Sequence, residues 1–354
     1  MTQTFTSRDG MKIAYYVDDF TDPWTKPDTL LLLHAAMGNA QRWFRWVPRL
    51  ARQYRVVRME LRGHGASQMP RPEQDFSLAL LVSDALELLD RLGVKSAHVV
   101  GNSAGGYVSQ QLAIHHGARV KTLALYGSTP GLKHSHAASW IPLVKERGLR
   151  KFLADTIHER FDQSADPGLV EWFLDQAGSN DPAFVARFVL HMTTHDFMDD
   201  VAKIKCPTLI VAAGKEQIGH ASAYGEMQKR IKGSELKLYD TAGHNICDGY
   251  ADRCVEDLLA FLKKQAKPVY DESVLKDPEE GPDGTFEAGE RDSMYIDAVK
   301  LVLQEGMCSI TLIQRRMRLG YARAARIVDM MEQEGIVGPA DGSKPRDLLV
   351  GPEI

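Results

Sequence analysis

The sequence predicts an α/β protein, a mostly parallel sheet carrying a helical cap, followed by a small C-terminal domain built on a helix-turn-helix. Three observations carry this expectation. Over residues 5–266 short apolar runs alternate with amphipathic stretches, the pattern of strands separated by helices. Within that region, residues 131–205 lose the strand signal and show apolar residues at helical spacing. Beyond it the composition changes abruptly to an acidic tract and then to three helix-like segments.

The candidate strands are 29–34 (TLLLLH), 55–59 (RVVRM), 97–101 (AHVVG), 120–126 (VKTLALY), 208–213 (TLIVAA) and 235–239 (ELKLY). Each is short and rich in aliphatic residues, as expected of strands buried on both faces. In an open sheet of this kind the ligand site lies at the carboxyl ends of the strands, and that is where the informative polar residues fall. The helical stretch at 131–205, with Ile141, Val144 and Leu149 and then Leu169, Trp172 and Phe173, sits between two strand candidates. It is therefore expected to fold over the sheet edge as the cap. Residues 268–291 read as a linker: eight carboxylates between Asp271 and Glu290 face a single Lys276, with Pro278, Pro282 and three glycines, a solvated and self-repelling tract. Segments 294–303, 309–317 and 321–334 then read as helices parted at Gly306 and Gly320, and 336–350 as a short hairpin around Asp341-Gly342. The expected divisions are thus 1–267, 268–291 and 292–354.

The chain has 354 residues, 44% hydrophobic and 25% charged, which allows a sizeable core and excludes disorder throughout. Its net charge of −4 supplies no global attraction to nucleic acid or to an anionic membrane. The opening MTQTFTSRDGMKIAYY lacks the apolar core of a signal peptide, and no later run approaches the roughly 18 apolar residues of a membrane span. A cytoplasmic protein without membrane contact is expected. Cys206, Cys247, Cys254 and Cys308 form no CxxC pairing and read as small buried apolar residues, so neither a disulfide framework nor a metal site is expected, and no cofactor.

The chemistry concentrates in two places. Gly101-Asn102-Ser103-Ala104-Gly105 follows an apolar strand and precedes a helix-like run, the setting in which G-x-S-x-G holds a serine on a sharp turn with its hydroxyl accessible. Glycines are required because a strained turn leaves no space for β-carbons on either side. A serine hydroxyl is a weak nucleophile and needs a neighbouring base oriented by a third group. Of the twelve histidines, His244, in Thr241-Ala242-Gly243-His244-Asn245 just past the last strand candidate, has the right place in chain order.

These motifs and their order resemble the α/β-hydrolase superfamily over about residues 5–265. The segment His34-Ala35-Ala36-Met37-Gly38 resembles that family's H-G-x-x-G loop, with Ala35 in place of a glycine, and Arg62-Gly63-His64-Gly65-Ala66-Ser67 resembles its R-G-x-G-x-S turn. The resemblance implies an oxyanion hole formed by the backbone N–H groups of Ala36 and Ala104, whereas His34 and His64 read as structural members of their turns. The family places its acid, usually Asp, three residues after the glycine ending the penultimate strand. That glycine is Gly214, so Gln217 stands where Asp is expected and Glu216 one place earlier. Glu216 is taken as the acid, and Asp248 as a helix-start or surface residue. Trp43, Phe44, Trp140, Trp172, Met192, His195 and Phe197 are candidates for an apolar pocket, with core packing the plainer reading for each.

The second place lies near the C-terminus. Between Arg315 and Arg326 stand five arginines, Arg315, Arg316, Arg318, Arg323 and Arg326, and no acidic residue, although residues 291–354 as a whole balance nine basic against nine acidic groups. Such a face binds phosphates with strong salt dependence. The run from Ser309 to Asp329, then Glu334-Gly335-Ile336-Val337-Gly338-Pro339, resembles the gamma domain of the FtsK/SpoIIIE DNA translocases over about residues 292–350. The resemblance implies a winged helix that reads DNA with an Asn, an Arg and a Glu on its third helix. Here those positions hold Ala322, Arg326 and Asp329, and Ala322 lacks the amide that pairs with a base edge.

The expected function is that of a serine hydrolase of the carboxylic-ester or lactone type, carbon-carbon and thioester hydrolysis using the same parts. The alternative is a ligand-sensing, DNA-binding regulator with a weakly active or inactive hydrolase-like body. Expected partners are a small-molecule acyl substrate, then DNA at the C-terminal domain or, as the competing use of that domain, a second copy of the chain.

Overall fold

Strands that are apolar at consecutive positions must be covered on both sides, and the computed structural model resolves how. It describes residues 2–265, 292–340 and 344–350, so the expected linker and the Asp341-Gly342 turn lie outside the described residues. The chain divides between Pro268 and Val269 into two compact units.

In the first unit, β1 (Gln3–Thr6) and β2 (Lys12–Asp18) form an antiparallel hairpin, and β2 pairs antiparallel with the strand Arg55–Met59. The strands β3 (Thr29–Leu33), β4 (Arg55–Met59), β5 (Ala97–Asn102), β6 (Val120–Tyr126), β7 (Thr208–Ala213) and β8 (Glu235–Tyr239) run parallel. The sheet order is β1-β2-β4-β3-β5-β6-β7-β8. The two-residue side-chain period splits each parallel strand between two cores. Leu31, Leu33, Val99, Leu123, Leu125 and Ile210 face one, and Leu30, Leu32, Val100, Tyr126, Leu209 and Val211 the other.

Helices α1 (Leu78–Arg91) and α2 (Ala104–His115) cover the first face through Leu81, Leu88, Val108 and Leu112. Between β6 and β7 lie α3 (Trp140–Arg147), α4 (Leu149–Asp155), α5 (Pro167–Gly178) and α6 (Pro182–Met192), whose apolar residues join the same core. Asp166 and Asp181 cap α5 and α6, each followed by Pro at the first helical position, where the missing N–H costs nothing. Helix α7 (Ala221–Arg230) follows β7, and α8 (Ala251–Gln265) covers the second face through Cys254, Val255, Leu258 and Phe261.

The second unit has α9 (Tyr295–Glu305), α10 (Ile310–Met317) and α11 (Tyr321–Gln333) around a core that includes Tyr295, Val302, Ile313, Ile327, Val328 and Met331. Gly306 (φ 69°) and Arg318 (φ 56°) end α9 and α10 in the left-handed region. Antiparallel bridges Val337↔Leu348 and Cys308↔Arg346 build a small wing beside the helices.

Candidate active site

The turn between β5 and α2 sets the site. Ser103 has φ 49° and ψ −114°, a conformation costing on the order of 1–3 kcal/mol for a residue with a β-carbon. Close packing and backbone hydrogen bonds hold it in place. A Cβ on Gly105 would collide with the Leu33 carbonyl, and one on Gly101 with the Ser109 hydroxyl and the Gly106 backbone. The Ser103 N–H donates to the Tyr126 carbonyl (3.0 Å), and its carbonyl accepts from Gly106 N–H (2.8 Å) and Ser128 Oγ (2.9 Å). The hydroxyl is thereby aimed away from the sheet.

His244 and Glu216 arrive from the loops after β8 and β7. His244 Nε2 lies 2.9 Å from Ser103 Oγ, and Nδ1 lies 2.9 Å from both Glu216 oxygens. A carboxylate only accepts, so Nδ1 carries the proton and Nε2 is left to accept from the serine hydroxyl. Glu216 is held in turn by Ile218 N–H (2.9 Å), Gly219 N–H (3.0 Å) and Tyr224 O–H (2.8 Å). Burial alone would raise its carboxyl, but the adjacent His244 and the two N–H donors outweigh burial and lower it from 4.5 to about 2. Gln217 is exposed. The turn thus presents the residue one place earlier than the family pattern does.

The backbone N–H groups of Ala36 and Ala104 have no intramolecular hydrogen-bond partner among the described residues, and both residues line the cavity over Ser103. Two donors left open beside a serine hydroxyl can receive an oxyanion. His34 and His64 serve the turns around them. His34 Nε2 accepts from Leu61 N–H (3.0 Å), and the two rings meet edge-on at 5.2 Å. Burial pushes His34 well below 6.5 and His64 down to about 4, so both are neutral.

The cavity holds about 50 Å³, room for no more than a few waters. Of the seven pocket candidates only Trp140 and Met192 line it, joined by Phe173, Phe188, Val189 and Ile218. Trp43 packs edge-on against Trp46 in the core on the opposite sheet face, Phe197 is buried in the first core, and His195 sits 3.0 Å from His191. Phe44 and Trp172 pack on each other at 5.4 Å, beside a separate surface depression. Apolarity alone could not distinguish these sides.

Asp248 differs from its expectation. It does stand in the short helical turn Ile246–Gly249, yet it is buried and ion-paired with Arg42, whose Nε lies 2.7 Å from Oδ1. A buried carboxylate requires such a partner, and no nearby sequence signal names one 206 positions away. Sequence reasoning also missed Tyr224, Arg160 and Asn245.

In the second unit the five arginines do not form one open face. Arg323 is bidentate on Asp292 at 2.9 Å, and Arg316 pairs with Glu305 at 2.8 Å, because helix packing brings acidic residues from outside the run alongside it. Arg315, Arg318 and Arg326 are exposed.

Residues 28–166 match the model of the alpha/beta hydrolase fold family, and residues 289–351 that of the Ftsk gamma domain. The chain joins an α/β-hydrolase fold to an FtsK gamma domain. Solved structures similar to the first unit include a hydrolase from Pseudomonas aeruginosa (29% identity, TM-score 0.66, covering 74% of this chain and 98% of that one). Others are an enol-lactonase from Burkholderia xenovorans (21%, 0.67, covering 74% and 100%) and an esterase from Exiguobacterium antarcticum (21%, 0.68, covering 74% and 100%). Among curated relatives, the DNA translocase FtsK of Lactiplantibacillus plantarum is 46% identical over 127 residues, and that of Agrobacterium fabrum 33% over 168. Those matches cover 34% and 45% of this chain but only 16% and 19% of the translocases. No described helix is long and apolar enough to cross a membrane.

The lowered Glu216 carboxyl has a measurable consequence for the hydrolase domain. A depressed acid stabilises the fold fully above its ordinary value and loses that contribution as pH falls through the folded value. Acid titration of unfolding free energy should therefore fall between about pH 4.5 and about 2 in the native protein. The fall should be shallower in Glu216→Gln; parallel curves would mean that Glu216 is not held as described.

Proposed function

We propose that the α/β-hydrolase domain is a serine hydrolase of the carboxylic-ester or lactone type, with Ser103 as nucleophile, His244 as base and Glu216 as the orienting acid. The observation that carries this is the unbroken hydrogen-bonded chain from Ser103 Oγ through His244 to Glu216, beside two open N–H donors. In the reaction Ser103 Oγ attacks the acyl carbon while its proton passes to His244 Nε2. The carbonyl oxygen becomes an oxyanion held by Ala36 and Ala104 N–H, each such donor supplying about 3 kcal/mol of transition-state stabilisation. Nε2 then protonates the leaving oxygen as the acyl C–O bond breaks. Water attacks the acyl-enzyme, gives its proton to Nε2, and the acid departs as Ser103 regains its proton. The names of the enol-lactonase and esterase neighbours support an oxygen ester over a thioester or carbon-carbon bond. The contact between Glu216 and His244 favours an enzyme over a purely ligand-sensing body. A panel of 4-nitrophenyl esters and γ-lactones tests the reading. Hydrolysis should be lost in Ser103→Ala and reduced about 10⁴-fold in kcat by Glu216→Gln, which leaves the imidazole without a charged orienting partner. Turnover unchanged in either variant would contradict it.

We infer further that the gamma domain binds DNA, an inference supported by its match to translocase sequence and by the exposed Arg315, Arg318 and Arg326. The altered position Ala322 favours phosphate contact over reading of the translocases' own sequence. Fluorescence anisotropy with a labelled duplex should show affinity falling steeply with salt. The double variant Arg315→Ala/Arg318→Ala should make the slope of log K against log salt shallower by about 2. No binding at low salt would contradict the inference and leave pairing of subunits as the domain's use.

A further inference from the structure

The wall of the cavity over Ser103 contains two buried polar atoms with no hydrogen-bond partner, and both are donors: Arg160 Nη2 and Asn245 Nδ2. Arg160 is 2% exposed. Its Nη1 is engaged, donating to Thr156 O (3.0 Å) and Thr156 Oγ1 (2.9 Å) and lying 3.5 Å from Glu159 Oε2. The guanidinium carbon stands 5.7 Å from the centre of the Trp140 ring and 5.8 Å from that of Phe152, neither of which supplies a hydrogen-bond acceptor for Nη2. Burial pushes this guanidinium down to about 10, against the opposing pull of Glu159 and Glu216, while Arg42 adds to the fall.

The other arginine in the wall is a control. Arg42 is bidentate on the buried Asp248, so its charge is already matched. Arg160 has no bidentate partner: Glu159 Oε2, itself buried and without a hydrogen bond, lies 3.5 Å from Nη1, and Nη2 is left without an acceptor. Backbone pairing holds Arg160 beside the base, since Glu159 O accepts from His244 N–H (3.1 Å) and Arg160 O from Asn245 N–H (2.9 Å). Buried cations and amide donors are costly unless an acceptor meets them. An acceptor with a negative charge and a planar edge, a carboxylate, satisfies a guanidinium N–H and an amide N–H together.

We propose that Arg160 and Asn245 form an anion subsite that selects acyl substrates bearing a second, free carboxylate beside the scissile ester or lactone. The proposal rests on the hydrolase reading and narrows its substrate class to carboxylate-bearing esters or lactones. Apart from Ser103, His244, Tyr107 and the already paired Arg42, the side chains that line the cavity with Arg160 and Asn245 are apolar, among them Trp140, Phe173, Phe188 and Met192.

The test compares matched substrates. Mono-4-nitrophenyl glutarate against 4-nitrophenyl pentanoate places the carboxylate on the acyl side; 4-carboxyphenyl acetate against phenyl acetate places it on the leaving group. In the native chain one pair should favour the acid by roughly tenfold to a hundredfold in kcat/KM, the range expected of hydrogen bonds to a charged group. In Arg160→Met that preference ratio should collapse, and Arg160→Lys should recover part of it. No preference by the native chain in either pair overturns the subsite, whatever the variants do, and so does a ratio unchanged in a folded Arg160→Met. If no ester is hydrolysed at all, the hydrolase reading fails separately. Calorimetric binding of glutarate to the native chain, weaker in Arg160→Met, then decides the subsite by itself, absence of binding overturning it.

Discussion

Holding Ser103 at positive φ is the constraint around which the first domain is organised. The chain leaves β5 and enters α2 through a turn so tight that Leu33 on the neighbouring strand occupies the space a side chain at position 105 would need. The cost of that backbone is met by packing on both sides of the sheet, where the strands are buried in two cores. Because the turn is fixed, the loops after β7 and β8 need only deliver one side chain each, and their own hydrogen bonds do so. Lys215 N–H reaches Ala242 O (3.0 Å), tying the two loops together.

Electrostatics distinguishes structural charge from charge available for work. Arg62 is buried between Asp84, at 2.6 and 2.8 Å, and Asp9, at 2.7 Å, and Arg42 is matched by Asp248. Removing one partner from such a buried pair typically costs about 3–5 kcal/mol, so these residues belong to the scaffold. Glu216 is ionised and is engaged by His244, by the Ile218 and Gly219 N–H groups of its own loop and by Tyr224 O–H from α7. Arg160 stands apart, buried in the same cavity wall with a donor unmatched, and it is there that a substrate's charge has a place.

All six candidate runs became parallel strands: β3, β5, β6 and β7 are buried almost throughout and show as aliphatic stretches, whereas β8 (ELKLY) is an edge strand that shows by its short alternation, with Leu238 exposed. The hairpin of β1 and β2 was less legible: β1 (QTFT) is a short, largely exposed edge strand, and KIAYYVD beside it is only partly buried, its apolar pattern diluted by polar residues. Ser103 and His244 could be placed from local motifs. The position of Glu216 depended on one residue of register in a loop, and only the donors Ile218 N–H, Gly219 N–H and Tyr224 O–H account for why the chain turns Glu216 rather than Gln217 inward. Arg160, Asn245 and the Arg42–Asp248 pair were not legible, since their roles come from contacts between segments far apart in sequence. The arginine run looked like one surface until Asp292 and Glu305 were brought beside it.

Hydrolysis by this domain requires that Ser103 be activated by its neighbours. Treating the native protein with a fluorophosphonate and reading the intact mass, followed by peptide mapping, addresses this without knowledge of the substrate. A single adduct on Ser103, absent from Ser103→Ala, is the predicted result. A folded protein that takes up no label, or takes it up elsewhere, would contradict the account.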